Sequence, residues 1–63
     1  MRKLTAKQER FVEWYLAEPN AAQAACLAGY NRLDSAHHGW RNLQNPRIQA
    51  AIKAAKEKEA VVL

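Results

Sequence analysis

Two adjacent imidazoles and a nearby guanidinium, His37, His38 and Arg41, are the side chains best suited to chemistry or ligand reading in this sequence. Imidazoles bind metals and move protons, and a guanidinium forks onto planar pairs of acceptors. The spacing serves metal binding poorly, because neighbours on a helix face about 100° apart and do not converge on one ion. Cys26 is the single cysteine. It has no partner for a disulfide or a Cys-rich zinc site, and no base beside it in sequence to form a thiolate. The sequence carries no nucleophile–base pair and no phosphate-cradling glycine loop, and its carboxylates are spread singly. The expectation is therefore a non-enzymatic chain with no metal and no cofactor.

Arg41 fits a different task. A bidentate arginine on an exposed helix face can read guanine O6 and N7. The charge distribution favours an anionic partner: ten Lys and Arg stand against six Asp and Glu. Residues 1–29 hold four basic and three acidic side chains. Residues 30–56 hold five basic side chains (Arg32, Arg41, Arg47, Lys53, Lys56) and one acidic, Asp34. The candidate DNA-binding residues are Arg32, Ser35, His37, His38, Arg41, Arg47 and Lys53. Arg41 is the choice for a base contact, and one of the two histidines is expected to face DNA. Arg32, Arg47 and Lys53 suit phosphates, contacts that fix position without specifying sequence. Arg2, Lys3 and Lys7 could add a loose basic arm.

These residues need a helical frame. Thirteen of the 63 residues are alanine, and only two Gly and two Pro interrupt the chain. Alanine is the strongest helix former, and the β-branched residues that favour strands are sparse. A chain this short is one domain at most. It contains no apolar run of the roughly 20 residues that a membrane span needs, and no secretory signal pattern. With one cysteine, a reducing intracellular setting is expected.

Caps and periodicity predict an all-α fold, a compact bundle of about four short helices. Thr5 with Gln8 is a capping-box pattern, and Phe11, Val12, Tyr15 and Leu16 recur at helical spacing up to Glu18-Pro19. Asn20 with Gln23 opens a second, alanine-rich helix that Gly29 ends by a left-handed cap. A third helix from Asn31 puts Asp34 at the capping-box position. On a helical wheel, Leu33, Ala36, Gly39, Trp40 and Leu43 share one arc of about 120° that is expected to face the core; Trp40, at its edge, is open to either core packing or an exposed ring that contacts DNA or a partner. Asn45 and Pro46 suit the N-cap and first position of a fourth helix, with Ile48, Ala51, Ile52 and Ala55 as its apolar stripe. Residues 1–63 are expected to form a single domain with a frayed tail from about residue 57.

Asn20 to Leu43 thus reads as a short capped helix, a glycine turn and a second capped helix, the sequence form of a helix-turn-helix. Small Ala24, Ala25 and Ala28 allow close packing beneath the second helix, and Tyr30 can anchor the turn. The second helix would present its polar face to a DNA major groove.

Four motifs resemble bacteriophage terminase small subunits: Leu4-Thr5-Ala6-Lys7-Gln8-Glu9-Arg10-Phe11-Val12, then Asn20-Ala21-Ala22-Gln23-Ala24-Ala25, then Ala28-Gly29-Tyr30, and, after Gly39, Leu43-Gln44-Asn45-Pro46-Arg47-Ile48-Gln49-Ala50-Ala51-Ile52. The resemblance runs in order from about Leu4 to Ile52. It implies an N-terminal helix-turn-helix domain that binds double-stranded viral DNA in the host cytoplasm. It also implies delivery of that DNA to a large subunit carrying ATPase and nuclease, and no membrane partner. Family chains are usually longer, with an oligomerisation region after this domain, so a homo-oligomer is implied for a longer form. Two other readings of the residues stay open: a small helical protein-interaction or oligomerisation module, and a helix-turn-helix transcription regulator.

Overall fold

A computed structural model describes residues 4–60. The expected basic residues Arg2 and Lys3 and the apolar tail 61–63 lie outside the described residues. Four α-helices follow in order: α1 (Ala6–Ala17), α2 (Ala21–Ala28), α3 (Ser35–Gln44) and α4 (Pro46–Ala60). A single 3-10 turn, Arg32–Asp34, leads into α3. Among the described residues there is no strand, and the fold is the expected all-α bundle.

The helix ends are built by local hydrogen bonds. At α1, the Gln8 backbone N–H donates to Thr5 Oγ1 at 3.1 Å, and the Thr5 N–H donates to Gln8 Oε1 at 2.9 Å. The capping box is complete, and it satisfies two amides that a helix start otherwise leaves bare. At α2 only half of the pattern forms. Asn20 Oδ1 accepts from the Gln23 N–H at 3.1 Å, but the Asn20 N–H turns back to the Glu18 carbonyl at 2.7 Å. Pro19, which cannot continue a helix, lies between them.

The end of α2 is a Schellman motif. Gly29 has φ of 110°, the left-handed region that a side chain would strain. The Gly29 N–H reaches the Cys26 carbonyl at 3.1 Å, and the Tyr30 N–H reaches the Ala25 carbonyl at 3.0 Å. Together they satisfy carbonyls that the helix end leaves open. The chain then turns sharply toward α3. The Asn31 side chain accepts from the Leu33 N–H at 2.8 Å rather than from Asp34. The box expected at Asn31 is therefore replaced by a tighter turn, and α3 proper begins at Ser35.

The core is small. Phe11 and Ile48 are its two largest fully buried side chains. Val12, Ala24, Ala25, Ala28 and Ile52 complete it, with Tyr15 and Ala51 packed against it, so α4 and most of the α1 stripe face the core as expected, and the small residues of α2 are buried beneath α3. Leu16, expected in the α1 stripe, is exposed.

The largest departure from expectation is the roll of α3. Leu33 is 93% exposed, Trp40 is 60% exposed, and Ala36 is exposed too. The core side is instead formed by buried Gly39 and Asn42, with Ser35, His38 and Leu43 half-buried. The helix is turned by roughly a quarter revolution from its apolar direction. The reason is steric. A Cβ built on Gly39 would stand 2.5 Å from the Ala21 carbonyl oxygen and 2.7 Å from its carbon. The crossing of α2 and α3 is set where the backbone of one touches the other, and only the residues around Gly39 can face inward.

Asn45 alone separates α3 from α4. Its Oδ1 accepts from the Arg47 N–H at 2.9 Å, with Pro46 at the first helical position as expected. Gln49 Nε2 donates across the joint to the Leu43 carbonyl at 2.7 Å.

Candidate nucleic-acid interface

The quarter-turn roll decides what α3 shows to solvent. Ala36, His37, Trp40, Arg41 and Gln44 are all exposed, and at 100° per residue they occupy one side of the helix. Leu33 and Arg32 extend this exposed surface onto the 3-10 turn. Asp34, on the same turn, is also exposed.

The sequence-predicted residues separate into three groups. Arg32, His37 and Arg41 lie exposed on α3 or its leading turn, as a groove-facing helix requires. Ser35 and His38 turn inward. The Ser35 hydroxyl donates to the Arg32 carbonyl at 3.1 Å, closing the 3-10 turn. The His38 ring stacks on Tyr30, with centroids 4.9 Å apart and planes inclined by 26°. Arg47 and Lys53 are exposed on α4. Lys53 lines an open groove that also includes Tyr15, Ile52 and Lys56, so it belongs to the α1–α4 side of the bundle.

His38 is thereby held against Tyr30, on the inner side of α3. The Lys7 ammonium sits 5.1 Å from the centroid of the same Tyr30 ring, a cation–π distance. One half-buried tyrosine thus ties α1, the turn after α2 and α3 together. Lys7, placed by sequence in a loose basic arm, has a definite structural partner instead.

Gln44 was not recognised from the sequence as a member of this surface. Trp40, at the edge of the apolar arc, was open to either core packing or exposure, and the structure exposes it. The available signal was Gly39 opposite an alanine-rich helix, a pattern that permits backbone contact and overrides the arc. Gln44 carries an amide of the kind that pairs with adenine N6 and N7.

Asn42 is 8% exposed, and its Nδ2 has no hydrogen-bond partner among the described residues. It is the one polar side chain in the buried set. Among the described residues there is no group of three or more His, Cys, Asp or Glu side chains able to hold a metal ion. No helix of the described residues is long and apolar enough to cross a membrane.

Comparison with known proteins assigns this arrangement to a family. The sequence pattern of the family described as "Terminase small subunit" matches residues 4–61. The chain belongs to the terminase small subunit family. It is 45% identical over 53 residues to the terminase small subunit of Bacillus phage SF6, covering 82% of this chain and 37% of that protein. The terminase small subunit of Bacillus phage rho15 gives the same figures. That of Bacillus phage SPP1 is 38% identical over 52 residues, covering 81% of this chain and 35% of that protein. The chain thus spans little more than a third of the length of these relatives.

Proposed function

We propose that this chain is the DNA-binding module of a terminase small subunit, with α2, the Gly29 turn and α3 acting as a helix-turn-helix. In this reading α3 lies in the major groove of double-stranded viral DNA. Arg41 reads a base, His37 contacts the groove or its edge, and Arg32 and Arg47 hold phosphates. Lys53 would engage the backbone only where the duplex reaches the α1–α4 side. Ser35 and His38 hold the reading helix in place. The whole protein would recognise the phage genome for packaging in the host cytoplasm. It would then deliver the DNA to the large subunit that carries ATPase and nuclease, working as a homo-oligomer in its longer form.

The observation that carries this reading is the outward face of α3. Exposed His37 and Arg41 share α3, with Arg32 on the turn that leads into it, and the pose of α3 is fixed from behind by backbone contact at Gly39. A rigidly seated helix presenting cations is what groove recognition demands.

Titration of the chain with duplex DNA by fluorescence anisotropy at about 50 mM and about 200 mM salt tests it. Each neutralised phosphate adds roughly 0.9 to the slope of log affinity against log salt. Arg41→Ala is expected to weaken binding about tenfold with unchanged helical content. Arg47→Ala should lower the salt slope by about one. No binding at the lower salt concentration would remove the DNA reading.

A second reading rests on Trp14 and Leu27, which are 44% and 47% exposed and share a shallow pocket with Ala17, Glu18, Gln23 and Ala24. This apolar patch between α1 and α2 suits a protein partner or a second copy. Light scattering across a concentration series distinguishes self-association from a monomer.

A further inference from the structure

An apolar stripe runs beside the cations on the outward face of α3. Leu33 is 93% exposed, Trp40 is 60% exposed, and Ala36 between them is exposed. Steps of three and four residues keep side chains on one side of a helix, and Leu33 stands in the turn that runs directly into α3. Two large apolar side chains so open to water, aligned rather than scattered, mark a surface that meets a partner. Arg32 and Arg41 are exposed alongside, with Asp34 the one carboxylate on the same turn, so the local charge favours an anionic partner that also offers apolar contact.

Duplex DNA meets both requirements at one place. Its phosphates flank the groove, and in the major groove the base edges carry one apolar substituent, the C5-methyl of thymine. The minor groove shows acceptors and the guanine amino group but no methyl. We infer that Leu33, Ala36 and Trp40 read thymine methyl groups, so that the preferred site of this module contains A·T pairs in its major-groove half-turn. This inference rests on the DNA-binding reading above and adds the identity of the base group that is read. Arg41 would supply orientation beside the methyl contacts, and Gln44 could pair with an adenine on the same edge.

The test uses the 63-residue chain and a duplex enriched from a random-sequence pool by binding to it. Each thymine is then replaced singly by deoxyuridine, which removes the methyl and leaves every hydrogen-bonding group in place. Loss of one buried methyl is expected to weaken binding about fourfold, the equivalent of roughly 0.8 kcal/mol. The effect should be confined to positions that the stripe covers. Leu33→Ala and Trp40→Ala should bind the thymine duplex more weakly and lose sensitivity to deoxyuridine at their own positions, with the salt slope unchanged. Both side chains are exposed, so circular dichroism should show the helices intact.

Equal affinity for thymine and deoxyuridine duplexes overturns the inference and leaves DNA binding standing. Failure of both duplexes to bind at low salt removes the DNA-binding reading and the inference with it. A dimer of the chain that Leu33→Ala or Trp40→Ala dissolves, with DNA affinity unaltered, would assign the stripe to a second copy and overturn the inference as well.

Discussion

On its inner side α3 meets α2 through an atom it lacks: Gly39 has no Cβ, and the Ala21 carbonyl occupies the space where one would be. On its outer side the same helix and its leading turn carry Leu33, His37, Trp40 and Arg41, all exposed. The two sides of this ten-residue helix are therefore set by different means. Backbone contact at Gly39 fixes where the helix stands, and the large side chains Leu33, His37, Trp40 and Arg41 are left free to meet something else. The inner side depends on geometry at the tenth-of-an-ångström level, whereas the outer side can change composition with little consequence for folding.

Substitutions on the two sides should differ accordingly. Gly39→Ala is expected to have the largest effect, a loss of about 2–3 kcal/mol as the added Cβ forces α2 and α3 apart. Urea unfolding followed by circular dichroism measures it, and an unchanged midpoint would mean that the helices do not touch at this point. In a domain this small, with about 3–5 kcal/mol from its core, much of the molecule would be unfolded.

Gly29→Ala attacks the same seam from its turn. It should cost about 1–2 kcal/mol, because φ of 110° is unfavourable for any residue with a side chain. The same unfolding experiment should show a smaller shift than for Gly39. Asn42→Leu probes the polar atom within the inner side. Removing an amide group without a partner, at similar volume, should raise stability by about 1 kcal/mol. A decrease would reveal that the amide is bonded after all.

The outer side supplies the smallest expected changes. Trp40→Ser and Leu33→Ser should each alter unfolding free energy by no more than about 0.5 kcal/mol, as surface substitutions do. A loss of several kcal/mol at Trp40 would place its ring in the core and abolish the contrast between the two sides.

The same contrast explains what could be read from the sequence. The capping box of Thr5 and Gln8, the left-handed Gly29 and the Asn45-Pro46 start are interactions between residues a few positions apart, and their signals are local. The buried stripe of α4 was equally legible, because Ile48 and Ile52 have no competing apolar face. The orientation of α3 was not. Hydrophobicity along that helix points toward Leu33 and Trp40, but the contact that sets its roll is with Ala21, on another helix. Of the arc that looked like core, Gly39 and Leu43 do face inward, but Leu33, Ala36 and Trp40 are exposed, and half-buried His38 was taken for a surface residue. His37 and Arg41 are exposed under either roll, and Arg32 is exposed because it stands on the 3-10 turn ahead of α3. His38, nearly opposite the apolar arc on the wheel, is carried inward by the quarter turn.

The single-residue joint at Asn45 has a mechanical consequence. With Asn45 Oδ1 holding the Arg47 amide and Gln49 clasping the Leu43 carbonyl, α3 and α4 turn as a bent crank rather than as two independent rods. The fifteen residues of α4 give that crank an arm of roughly 22 Å. A tilt of about 10° at α3 would swing the far end of α4 by about 4 Å at that arm length. A small adjustment of α3 is thereby magnified into a displacement of several ångströms at the far end of α4.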